Sequence, residues 1–143
     1  MRFSEAKKHK VVSTATAETV GRVERFIIDP ATRTVVALHL KKTDTGDTLA
    51  WGDMIAFGAD AVTVDDADRI TGPSETIAAL DHKDRHVLGK RLLTTGGDEL
   101  GKLEDVEFDP ESGAVRALIG AAEEIDGARL VGIGSYAVVV SAG

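Results

Sequence analysis

The chain has 143 residues, of which 43% are hydrophobic and 29% charged, a balance typical of a folded globular protein rather than a disordered one. It contains no cysteine, which excludes a disulfide framework, a thiolate zinc site and a cysteine nucleophile. There is no run of about 18 apolar residues and no secretory-type N-terminus, so we expect no membrane span and a cytoplasmic location. The net charge of −7 argues against a nucleic-acid surface over the whole protein.

The chain contains an internal repeat. Residues 21–40 resemble residues 101–120, 80 positions later, and seven of the twenty aligned pairs are identical. Unrelated sequences of ordinary composition would share roughly one or two. Residues 58–64 resemble 134–140 at an offset of 76, so the second copy is four residues shorter. The pattern predicts a tandem duplication of one small unit.

Alternating apolar residues and frequent turn residues predict that each copy is a series of short strands. The predicted strands of the first copy are 10–14, 20–29, 34–41, 48–51 and 61–64, with a helical turn at 52–57. Those of the second copy are 90–95, 100–109, 114–121, 128–132 and 136–141. Between the copies, Ser74 is a candidate N-cap for a short helix near residues 74–82.

Two local features predict the shape of the long hairpins. Val23 and Phe26 lie three residues apart, and a β-bulge at Glu24/Arg25, with its counterpart at Glu104/Asp105, would bring such residues to one face. In the hairpin turns, Gly113 suits a left-handed backbone conformation, whereas its equivalent Arg33 does not. We therefore expect the first hairpin to be strained or differently shaped.

The glycines, the Asp-Pro turn and the strand order of the second copy resemble those of the PRC-barrel domain, a small β-barrel. The resemblance covers residues 87–141 well and residues 8–65 more loosely. His9 stands where Gly89 would be expected in the first copy. The family shares no catalytic residue that could be transferred, so the resemblance implies a fold and a binding or assembly role.

These observations together predict a mainly all-β protein: two small PRC-type barrels in tandem, related by pseudo-two-fold symmetry, with a short helix in the connection. The predicted boundaries are 1–72 for the first repeat, 73–86 for the linker and 87–143 for the second repeat. Each lobe alone has a marginal core, so we expect the two barrels to pack against each other.

No catalytic, cofactor-binding or metal site is predicted. His82 and His86 are four residues apart, but Lys83 replaces the glutamate of the zincin motif. The acidic stretch around Glu104 and Asp109 lacks EF-hand spacing, so a solvated strand face explains it better than a cation site.

Two groups of residues are candidates for an interaction surface. The first is the largest apolar patch, Trp51, Met54 and Phe57, which favours core packing or an interface between the copies or between two chains. The second is a group of basic residues in the first copy: Lys7, Lys8, Lys10, Arg22, Arg25, Lys41 and Lys42. From these groups we take Trp51, Met54, Phe57, Lys41, Lys42, Arg22 and Arg25 as the candidate interaction residues.

Charge is divided unequally between the halves. Residues 1–72 carry ten basic and eleven acidic residues, whereas residues 73–143 carry seven and thirteen.

The function predicted from the sequence is that of a non-enzymatic module that binds a protein partner or assembly without a cofactor. The alternatives are an RNA-processing or ribosome-associated factor and a small-molecule or metal-binding protein. A homodimer through exposed strand edges is a further arrangement.

Overall fold

The computed structural model describes residues 1–81 and 86–142, which form two six-stranded sheets and two short helices. The strands of the first sheet are β1 Lys10–Ser13, β2 Thr19–Asp29, β3 Thr34–Lys41, β4 Thr48–Ala50, β5 Ala56–Phe57 and β6 Ala61–Val64. Those of the second are β7 Arg91–Thr94, β8 Glu99–Phe108, β9 Val115–Gly120, β10 Glu124–Asp126, β11 Leu130–Ile133 and β12 Val138–Val140. The helices are α1 Phe3–Ala6 and α2 Glu75–Leu80.

Both sheets have the same topology. Their orders are β4-β3-β2-β1-β6-β5 and β10-β9-β8-β7-β12-β11, and in each the first strand pairs in parallel with the last one in the chain. The two outermost strands of each sheet follow one another in sequence across a short 3₁₀ turn, at Trp51–Asp53 and Gly127–Arg129. The turn carries the chain from one edge of the sheet to the other, which gives each lobe a barrel-like shape. The predicted mainly-β architecture with two repeats is confirmed.

The strand predicted at 128–132 is present but begins two residues later, because Ala128 and Arg129 belong to the 3₁₀ turn and β11 starts at Leu130. Strand β10, which precedes the turn, was not predicted. Asp126 starts the turn, because its side chain accepts a hydrogen bond from the Ala128 N–H at 2.9 Å. Gly127 permits it, because a Cβ at that position would lie 2.0 Å from the Val115 carbonyl oxygen. Strand β5 of the first sheet was not predicted either, because residues 52–57 were predicted to form a helical turn.

The predicted bulges are present in both lobes. The pairing of β2 with β3 shifts register between Val23 and Arg25, and that of β8 with β9 shifts between Leu103 and Asp105. Both Val23 and Leu103 are buried on the inner side of their strands. The bulge bends each long strand, as a small closed sheet requires.

The hairpins of the two lobes pair with each other. The Val35 N–H donates to the Gly113 carbonyl at 2.8 Å, and the Val115 N–H donates to the Arg33 carbonyl at 2.9 Å. Each donor and acceptor has its counterpart 80 residues away, so the pair of bonds is reciprocal. This is the pattern that an approximate two-fold axis between the lobes produces.

Arg33 adopts a left-handed backbone with φ of +57°, and its equivalent Gly113 has φ of +80°. The predicted strain in the first hairpin is therefore present. The predicted match of His9 with Gly89 is wrong, because Lys8, with φ of +76°, takes the conformation of Gly89 at +88°. The first copy has one more residue between its first two strands, which shifts the alignment upstream by one position.

All four phenylalanines meet between the lobes. Phe3 stacks on Phe26 with ring centroids 4.0 Å apart, and Phe57 meets Phe108 edge-on at 5.3 Å. Phe57 belongs to the first lobe and Phe108 to the second, so the aromatic cluster joins the cores of both. Aromatic pairs of this kind add about 1 kcal/mol each beyond the area they bury.

The two helices dock across the molecule at equivalent bulge positions. α1 precedes the first lobe but packs on β8, where Asp105 accepts a hydrogen bond from the Ser4 N–H at 3.2 Å. α2 precedes the second lobe but packs on β2, where Arg25 binds Asp81 just beyond the helix. Ser74 caps α2 as predicted, accepting from the Ile77 N–H at 3.2 Å, and residue 82 of the predicted helix lies outside the described residues.

Candidate interaction surface

The apolar candidates Trp51, Met54 and Phe57 lie at the junction of the lobes. Trp51 stacks on Phe57 at 5.9 Å and meets Phe108 of the second lobe edge-on at 6.3 Å. Phe57 is buried, whereas Trp51 and Met54 are half-buried against the core. Most of this apolar surface is already occupied by contacts within the chain.

The basic candidates form a row across three neighbouring strands. Lys10 on β1 pairs in register with Arg22 on β2, and Arg22 pairs with Lys41 on β3. Register partners in a sheet point to the same face. The neighbours Val11, Val23 and Leu40 are buried, so the three cations share the outer face of the first lobe. We call Lys10, Arg22 and Lys41 the basic row.

Among the described residues, the basic row has no carboxylate partner. None of its three side chains makes an ion pair or a side-chain hydrogen bond within residues 1–81 and 86–142. Like charges at register positions destabilise a sheet by a few tenths of a kcal/mol or more. The arrangement therefore costs folding stability, and no ion pair among the described residues offsets this cost.

The next pair of positions along the same face is neutralised from within the chain. Arg25 on β2 pairs in register with His39 on β3. Arg25 donates two hydrogen bonds of 3.0 Å to the carboxylate of Asp81. His39 Nδ1 lies 3.6 Å from the Asp81 carboxylate and 3.8 Å from that of Asp47. On the outer face, Arg25 and His39 thus lie beside carboxylates of the chain, whereas the basic row has none beside it among the described residues.

Of the four predicted basic residues, the structure brings Arg22, Arg25 and Lys41 to this face. Lys42 follows directly, exposed and with φ of +58°. Arg25 differs from the others because Asp81 holds its guanidinium, with 28% of the Arg25 side chain exposed. Sequence reasoning missed Asp81 and Asp47, and no motif marks either residue.

A cleft of about 280 Å³ opens beside Arg25, between α1, β2 and the segment that leads into β7. Phe3, Phe26 and Val87 contribute apolar walls, and His86 lies at its edge. The pKa of His86 is lowered, first by partial burial and then by the neighbouring Arg25. The lowered pKa favours the neutral form of the His86 imidazole.

The acidic residues of the second lobe have separate structural roles. Asp105 is buried and binds the backbone and hydroxyl of Ser4. Asp109 accepts from the Glu111 N–H at 2.8 Å in the hairpin turn and binds Arg116 at 2.8 Å. No group of three His, Cys, Asp or Glu residues that could hold a metal occurs within the described ranges. His82 lies outside them, so the predicted character of the 82/86 pair remains a prediction.

Comparison with known proteins identifies one part of the chain. No helix in the described ranges is long and apolar enough to cross a membrane. No curated protein matches the sequence. A family model does match residues 81–142, and its description is the PRC-barrel domain. The matched range contains the whole second sheet with its parallel β7–β12 pair. Residues 81–142 of this chain are therefore a PRC-barrel domain.

Proposed function

We propose that the chain is a non-enzymatic, cytoplasmic tandem PRC-barrel protein that binds a protein partner or assembly through the outer face of its first lobe. The first lobe has the same strand order, bulge and parallel closing pair as the matched domain. These shared features support its interpretation as a second barrel of the same family.

The observation that carries the proposal is the basic row. Three cations stand side by side on a sheet at a cost in stability, and no carboxylate of the described chain offsets them. Clustered charge of one sign attracts a partner of opposite charge, so the row supports a binding role for this face. Lys10 is exposed and Arg22 and Lys41 are half-buried on the outer face, where a partner can reach all three.

The second lobe offers a natural contrast. Arg91 and Lys102 occupy the positions equivalent to Lys10 and Arg22, also in register. Arg91, however, pairs with Glu99 at 3.5 Å and lies over the ring of Tyr136 at 4.3 Å. Ala121 stands at the place of Lys41. The divergence between the lobes favours one binding face, on the first lobe.

The proposal predicts a partner whose capture depends on the row. Tagged wild-type protein, the row variant Lys10→Ser/Arg22→Ser and the control variant Arg91→Ser/Lys102→Ser would each be used to capture proteins from native lysate. Both variants remove two positive charges from equivalent strands. Mass spectrometry would identify and quantify the captured proteins.

We expect a reproducible protein that the wild type and the control variant retain and that the row variant loses. Equal capture by all three proteins would contradict a role for the first lobe's outer face. Reproducible capture of nothing, with all three proteins folded by circular dichroism, would contradict the binding function itself.

A further inference from the structure

We infer that the occupant of the basic row is an acidic segment of a protein, which places carboxylates against Lys10, Arg22 and Lys41. This inference rests on the proposed function and names the chemistry of the partner. It follows from the way the chain already binds one of its own carboxylates on the same face.

Asp81 shows how this face holds a carboxylate. It reaches β2 from the end of α2, receives both hydrogen bonds of the Arg25 guanidinium and lies within 3.6 Å of His39. Only 12% of the Asp81 side chain is exposed. Arg22 and Lys41 form the adjacent register pair on the same two strands. A carboxylate arriving over that pair would meet two cations on the same two strands, next to the Arg25 guanidinium that already binds Asp81.

The spacing of the row suits an acidic segment. Neighbouring strands lie about 4.8 Å apart, so the row spans roughly 10 Å from β1 to β3. Carboxylates at alternate positions of an extended peptide lie about 7 Å apart on one side. The long Lys and Arg side chains easily cover the difference, so two or three acidic residues can be bound together.

The aromatic residues favour protein over RNA. Single-stranded RNA is held by aromatic side chains that stack on its bases as well as by cations. Phe3, Phe26, Phe57, Phe108 and Trp51 are all used in the cluster between the lobes. The remaining Phe, Trp or Tyr residue, Tyr136, lies in the second lobe, so none of these three large aromatic residue types accompanies the basic row.

The overall charge does not prevent such an interaction. Residues 1–72 have a net charge of −1, and most of the excess of −7 belongs to the second half. Physiological salt screens exposed charges over about 8 Å, so a ligand on the row responds mainly to the cations beside it. Binding should weaken as salt is added.

Direct titration of the full chain tests the inference. The probes are a fluorescein-labelled peptide of alternating Glu and Ala and a labelled oligouridine of equal net charge, followed by fluorescence anisotropy at low and physiological salt. The proteins are the wild type, the Lys10→Ser/Arg22→Ser variant and the Arg91→Ser/Lys102→Ser control. We expect the acidic peptide to bind, with a Kd raised about fivefold or more by the row variant and changed less than about twofold by the control.

Three results would overturn the inference: preferential binding of oligouridine, equal weakening of the peptide by both variants, or no peptide binding at low salt. The capture experiment separates these from a failure of the proposed function. Suppose that the row variant fails to capture a partner that the wild type captures, while the acidic peptide does not bind. That result would support the binding face on the first lobe and contradict the inference that its occupant is an acidic segment.

Discussion

Arg25 and Asp81 form a two-bonded ion pair between residues 56 positions apart, which ties the segment leading into the second lobe to the bulge of the first. Asp105, at the equivalent bulge, ties α1 to the second lobe. The two lobes are thus connected by a pair of crossed segments as well as by their hairpins. Each lobe supplies the residue that holds the other lobe's leading helix.

The Arg25–Asp81 pair should contribute measurably to stability. Asp81→Asn keeps the shape of the side chain but leaves a half-buried guanidinium without its carboxylate, so we expect the free energy of unfolding to fall by about 1–2 kcal/mol. Asp65→Asn is the control, because Asp65 binds Arg69 with the same geometry while both side chains are about half exposed. Urea denaturation measures the free energy of unfolding of both variants. If Asp65→Asn lowered the free energy of unfolding as much as Asp81→Asn does, the stabilising role given to the Arg25–Asp81 pair would be contradicted.

Arg33 combines a strained backbone with a contact between the lobes. Its Nε donates to the Leu130 carbonyl at 2.7 Å, while its φ of +57° disfavours any residue with a Cβ. Arg33→Ala loses the hydrogen bond and keeps the strain, whereas Arg33→Gly loses the bond but relieves the strain. We expect Arg33→Ala to have a free energy of unfolding about 1 kcal/mol lower than that of Arg33→Gly, measured by thermal or urea unfolding. An alanine variant at least as stable as the glycine variant would show that the turn is unstrained.

Gly113 makes room for Trp51. A Cβ on Gly113 would lie 2.9 Å from the Val35 carbonyl and 3.1 Å from the Trp51 ring. Gly113→Ala should therefore destabilise the protein by about 1 kcal/mol or more beyond Gly97→Ala, which has a similar φ of +88° and open space around it. The emission of Trp51 should move to longer wavelength only in the Gly113 variant. Equal losses and unchanged emission in both variants would mean that the lobes do not meet at this turn.

Asp109 should make stability depend on pH in the acidic range. Its pKa is lowered from 3.8, first by the Glu111 N–H and then by Arg116. A carboxyl with a depressed folded-state pKa stabilises the fold above its unfolded value and loses that effect as pH falls through the folded value. The advantage of the wild type over Asp109→Asn should therefore be full at pH 6 and shrink below about pH 4.

Thermal unfolding between pH 2.5 and 6 measures this dependence, with Asp29→Asn as the matched control. Asp29 accepts the same turn hydrogen bond from the Ala31 N–H at 2.9 Å but has no guanidinium partner within the described residues. At pH 6, Asp29→Asn should therefore lower the unfolding temperature less than Asp109→Asn does. A difference between wild type and Asp109→Asn that stays constant across this range would contradict the role of the charge.

Much of the fold could be predicted where side-chain alternation is strong. Strands Thr34–Lys41 and Ala61–Val64 have the predicted bounds, because alternating apolar residues end at clear turn residues. The strand predicted at 128–132 was started two residues too early, because Gly127, Ala128 and Gly132 give no pattern that distinguishes a 3₁₀ turn from a strand.

The candidate surface was only partly predictable, for a different physical reason. The sequence marks Arg22, Arg25 and Lys41 as basic, but pairing across strands decides that Lys10 joins the row and that Asp81 neutralises Arg25. Contacts between residues this far apart in sequence leave no local periodicity. The same limit applies to Trp51, whose position between the lobes depends on how the hairpins meet.

The most direct test of the account is to map the acidic peptide on the full chain by ¹H–¹⁵N NMR titration. We predict amide shift changes concentrated on β1, β2 and β3 around Lys10, Arg22 and Lys41, which disappear in the Lys10→Ser/Arg22→Ser variant. Changes centred on Arg91 and Lys102 in the second lobe, or no changes at a saturating peptide concentration, would contradict a binding face on the first lobe.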